Sequence, residues 1–178
     1  PDRGVAAGLP EGTVMSAEEG AQAQAATERR LLGHVVGFGH IPAAAAGLKP
    51  DMFLATEHVT AWEILLALAE DGTAITPDAI VHLARQRQEL PRLPGGSNWP
   101  MEVAKEACLP QAVPPLVEII QAQAATRTLD RAAATCQARI EYGAPLVEVL
   151  EDLETATTQA RSIGAGGWPA ATSSSAPA

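Results

Sequence analysis

The residues best suited to chemistry in this chain are His34, His40, His58 and His82, the cysteines Cys108 and Cys136, and a few short acidic or basic clusters. A zinc site on a helix places two ligands on adjacent turns, as in H-E-x-x-H, and no pair of these histidines has that spacing. His58 stands one turn before Trp62 and reads as a hydrogen-bonded histidine beside a core aromatic rather than as a ligand. The cysteines form no C-x-x-C pair and read as reduced, buried thiols. Cys136 falls on an apolar stripe, where burial raises a thiol's pKa and works against a nucleophilic thiolate.

Nucleotide chemistry is tested by the P-loop, G-x-x-x-x-G-K-[ST], whose backbone amides cradle phosphates while its lysine and hydroxyl address phosphate and magnesium. Gly33 to Gly39 includes no lysine, Gly95-Gly96 leads into Ser97-Asn98, and Gly166-Gly167 leads into Trp168, so the motif is missing. Glu18-Glu19 and Glu151-Asp152-Glu154 read as solvated surface rather than acid/base pairs. Arg29-Arg30 and Arg85-Arg87 lack the interleaved aromatics of a nucleic-acid surface. No catalytic residue, metal or cofactor is expected, and the chain is not expected to be an enzyme.

The bulk properties agree with that reading. Twelve Lys and Arg against twenty-one Asp and Glu give a formal charge of −9, and a field of that sign repels phosphate backbones, so direct tight nucleic-acid binding is not expected. Apolar residues make up 47% of the chain but aromatics only 3%. Much of the apolar content is alanine, which favours helix while burying little area, so thin helix-on-helix packing is expected. No apolar run reaches the ~20 residues of a membrane span, no signal-peptide pattern is visible, and the expected location is cytoplasmic.

The elements that must position these residues are all helical. Residues 1–26 read as a flexible leader with a transiently helical end, and residues 164–178, rich in Gly and Ser, as a flexible tail. Between them, residues 27–110 read as a globular helical bundle. Its start signals are Thr27-Glu28, Pro42, Thr56 as a cap, Thr76-Pro77-Asp78 and Asn98-x-Pro100; its stops include the glycines at 37 and 39, Asp71-Gly72 and Pro91. Residues 111–163 read as a long antiparallel helical hairpin. One helix from Pro114-Pro115 to Tyr142 carries Leu116, Ile119, Leu129, Cys136 and Ile140 at helical spacing; Gly143 breaks it, and a second from Pro145 carries Leu146, Leu150 and Leu153. The expected fold is all-α, a small helical bundle followed by this hairpin. A two-helix hairpin covers only part of a broad stripe, so those eight residues are the candidate protein interface.

The order of short motifs resembles the N-terminal domain of DnaB-type replicative helicases. Glu28 followed by Leu32-Gly33 looks like the first signature of that family, and Asp51, Phe53, His58 and Trp62 like the second. Gly95-Gly96 with Trp99 looks like the third, Pro110 like the proline before the long helix, and the hairpin comes next. The match covers about residues 27–163. It departs from the family at Leu116 and Gln121-Ala122-Gln123, where a tyrosine and a charged run are usual. The resemblance implies a collar domain whose hairpins pair between copies and which receives primase or a helicase loader, without the family's motor domain. The chain reads equally as a piece of a longer helicase or as a free-standing protein. Two other readings stand beside it: the helicase-binding domain of a primase, which has a similar bundle-plus-hairpin build, and an unrelated helical dimerisation or regulatory protein.

Overall fold

The computed structural model describes residues 17–165, which form six α-helices joined by turns, with no strand among the described residues. The first helix, α1, spans Ala17–Phe38, so it begins well before Thr27. The last ten residues of the expected leader are therefore helical, while residues 1–16 lie outside the described residues. Two causes are visible. The stretch is alanine-rich, which costs least in helix, and Gln24 donates from Nε2 to Glu28 Oε1 one turn on (2.9 Å), both side chains being buried. Thr27 sits in mid-helix, its hydroxyl bonded back to Ala23 O.

Leu31, Leu32, Val35 and Val36 form the buried face of α1. Gly33 lies on it for a steric reason: a Cβ there would stand 2.5 Å from the carbonyl oxygen of Val103. The short helix α4 (Trp99–Ala104) can thus rest its backbone directly on α1. Gly39, in the left-handed region at φ +74°, ends α1, as only glycine does without penalty.

Two 3-10 turns, Ala43–Ala45 and Pro50–Met52, lead to α2 (Thr56–Glu70). Pro42 therefore opens only a single tight turn. Thr56 is the first helical residue rather than the cap, a position taken by Ala55. Thr76 does cap α3 (Pro77–Gln86), accepting from Ala79 N at 3.2 Å. Trp62 and Trp99 are wholly buried at the centre of the core. Trp62 donates from Nε1 to Leu48 O (3.1 Å), and its ring lies 5.2 Å from that of Phe53.

The longest helix, α5, spans Val113–Glu141, 29 residues or about 44 Å. Its two halves do different work. Val113, Leu116, Val117, Ile120 and Ala124 belong to the same core as Leu31, Trp62 and Trp99. The expected boundary between residues 110 and 111 thus runs through one continuous core. The hairpin proper is the second half of α5 with α6 (Leu146–Ala165). Gly143, at φ +78°, makes the reversal. The two helices run antiparallel: Arg139 reaches Glu148 and Asp152, Cys136 Sγ donates to Val149 O at 3.6 Å, and Thr128 and Ala132 face Ala156, Gln159 and Ile163. Helix α6 runs to Ala165, two residues into the expected tail; residues 166–178 lie outside the described residues.

Candidate protein interface

The eight residues expected at an interface divide when placed on the fold. Leu116 is 6% exposed and belongs to the bundle core; Cys136 is 7% exposed and fills the seam between α5 and α6. Neither is free to meet a partner. The periodicity that selected them was right about a buried face, but the neighbour covering it is this chain itself. Ile119, Leu129, Ile140, Leu146, Leu150 and Leu153 are exposed, Ile140 at 54%, Leu146 at 62% and Leu150 at 51%.

Helical geometry separates the two flanks of the hairpin. With Cys136 and Val149 facing the seam, a rotation of about 100° per residue carries Arg139, Glu148 and Asp152 to one flank, where they meet as ion pairs. The same rotation carries Leu129 and Ile140 of α5, and Leu146, Leu150 and Leu153 of α6, to the other. One flank is charged and internally paired; the other is an apolar strip presented by both helices. The seam between them is thin, built from Ala132, Cys136, Val149, Ala156 and Ala160, which lets the helices approach closely and leaves the leucines outside it. Val147, 66% exposed, and Tyr142, 91% exposed, extend apolar surface to the tip. Sequence reading did not single them out, because neither falls on the main stripe.

Of the four histidines, His34 and His58 are buried and hydrogen-bonded, whereas His40 and His82 are exposed. Glu28 is wholly buried and accepts from Leu54 N (2.7 Å), Ala55 N (3.4 Å), Gln24 Nε2 (2.9 Å) and His58 Nδ1 (2.9 Å). Burial pushes its pKa up, but the donors, His58 first and then Leu54, outweigh this and hold the carboxyl below its ordinary range. It ties α1 to the approach of α2. His34 donates from Nδ1 to Cys108 O at 2.8 Å and stacks on Phe38. Among the described residues, no group of three His, Cys, Asp or Glu could hold a metal ion, and no helix is long and apolar enough to cross a membrane.

No protein-family model matches the sequence, and no curated protein does. The fold has solved relatives. It superposes on the crystal structure of the N-terminal domain of DnaB helicase from Mycobacterium tuberculosis with a TM-score of 0.64 and 17% identity, over 76% of this chain and 96% of that one. The fold is that of the DnaB N-terminal domain. A DnaB-like replicative helicase, solved in a study of its interactions with primase, gives a TM-score of 0.60 at 17% identity; the alignment covers 78% of this chain and 31% of that one. The chain therefore spans about a third of that helicase. The motif residues that carry the sequence resemblance take on physical roles in this DnaB-type fold: Glu28 and His58 as the buried hydrogen-bonded pair, Gly33 as the α1–α4 contact, and Trp62 and Trp99 as the core.

Proposed function

We propose that this chain is a non-catalytic assembly and partner-docking module of a replicative helicase, pairing with further copies through its hairpin and receiving primase or a helicase loader. The observation that carries this reading is the one-sided apolar strip of Leu129, Ile140, Leu146, Leu150 and Leu153 on a DnaB-type fold. Exposed apolar surface concentrated on one flank, opposite a self-paired charged flank, is the arrangement of a surface that is covered in an assembly. A second copy of the hairpin supplies a matching strip by two-fold symmetry, with no need for complementary charge. The absence of a P-loop from the sequence supports a role without ATP turnover, and the charge of −9 supports protein rather than duplex DNA as the partner.

The docking half of this reading is tested by isothermal titration of the chain with the primase and with the helicase loader of the same cell. Saturable binding of either is the expected result; no heat with both, at concentrations up to about 100 times a micromolar Kd, contradicts it.

A further inference from the structure

A cavity of about 240 Å³ lies at the joint where the hairpin leaves the bundle. Its walls come from α5, α6 and the turn at Pro50–Met52, and its polar lining is Asp51, Arg127, Thr128, Arg131 and Gln159. Arg127 donates from Nη2 to Met52 O at 2.6 Å, while its Nη1 is buried with no partner. Arg131, one turn further along α5, has a guanidinium with no hydrogen bond or ion pair among the described residues.

These donors restrict what can fill the space. A guanidinium has five N–H donors and no acceptor, so an occupant must accept hydrogen bonds. Two like charges at i and i+4 repel each other, which an anion between them reverses. Asp51, Arg127 and Arg131 give the cavity's lining a single positive charge in a chain of −9; Asp51 and the buried Glu28 both act on Arg127, which leaves Arg131 as the less compensated cation. The volume accommodates a small oxyanion with its waters.

We propose that this cavity is a binding site for a small free oxyanion of the phosphate class, held between Arg127 and Arg131. A bound anion bridges α5, α6 and the Pro50–Met52 turn and so fixes the angle at which the hairpin leaves the bundle. The test is the melting temperature of the full chain in inorganic phosphate against chloride at matched pH and ionic strength. A saturable, phosphate-specific rise of about 3–6 °C at tenfold above the midpoint is expected. Arg131→Gln, which removes an exposed side chain without hydrogen-bond partners and relieves its repulsion of Arg127, should abolish that rise while leaving the melting point in chloride the same or slightly higher. Asp51→Asn should move the midpoint to lower phosphate. A single-stranded oligonucleotide at equal phosphate concentration should have no effect. No rise beyond chloride, an equal rise in Arg131→Gln, or a rise with the oligonucleotide but not with phosphate would each overturn the proposal.

Discussion

Glu28 can remain ionised in the core because Gln24, Leu54, Ala55 and His58 all donate to it. Its folded pKa lies below the ordinary value of 4.5, so its contribution to stability is fully present above 4.5 and is lost as pH falls through the folded value. Glu28→Gln should cost about 1–3 kcal/mol at neutral pH, because an amide nitrogen cannot accept from the donors it meets. The variant should also lose less stability than the parent between neutral pH and pH 3, which urea unfolding across pH would read; equal acid sensitivity would contradict this role for Glu28. Gly33 gives a second test at this scale. Gly33→Ala drives a Cβ against the backbone of Val103 and should cost about 1–3 kcal/mol. Gly20→Ala, where a Cβ meets nothing within 4 Å, should stabilise by about 0.5–1 kcal/mol. Two glycine-to-alanine changes in one helix should thus move the melting point in opposite directions. From sequence alone, Glu28, Gly33, His58 and Trp62 were legible as an ordered set, and His58 as a core histidine. That Glu28 joins His58 across 30 residues was not legible, because helix periodicity carries no information on which buried faces meet.

The hairpin is more weakly held than the bundle. Its seam is of alanine, one valine and one cysteine, whereas the bundle buries two tryptophans and a set of Leu and Ile side chains. The Arg139 ion pairs are partly exposed and add little. Amides in the middle of α6, from Leu150 to Thr157, should therefore exchange with deuterium well before those of Leu31 to Val35, and their protection should grow with protein concentration if association covers the apolar flank. Protection of α6 equal to that of α1 in dilute solution would show instead that the hairpin is stable by itself. At this scale the sequence was most informative. Proline starts located the beginnings of α3, α5 and α6 to within a residue, because those signals act through local φ/ψ and hydrogen bonding, whereas α3 ends at Gln86, well before the expected stop at Pro91. They failed at the start of α1, where no proline or glycine marks the boundary, and at Thr56, where the cap position belongs to the residue before it.

At the scale of the whole molecule, the bundle and the first half of α5 share one core, so the chain is a folded body with a projecting hairpin rather than two separable units. The residues of the expected stripe on α5 alternate between covered and open: Leu116 and Cys136 are buried, whereas Ile119, Leu129 and Ile140 are exposed. The bundle covers Leu116 and α6 covers Cys136, and only these tertiary neighbours decide which part of the stripe remains open. The central claim is that the open part joins copies of this chain, and its most direct test is molar mass by light scattering across a concentration series, with Leu150→Asp as the comparison. Leu150 is half exposed, so the substitution should leave the helical content unchanged while placing a carboxylate in the apolar contact. The parent should rise from monomer to dimer or higher mass with concentration, and Leu150→Asp should weaken that association at least tenfold, about 1.4 kcal/mol. A parent that stays monomeric at every concentration, or a variant that associates as tightly as the parent, would contradict the account.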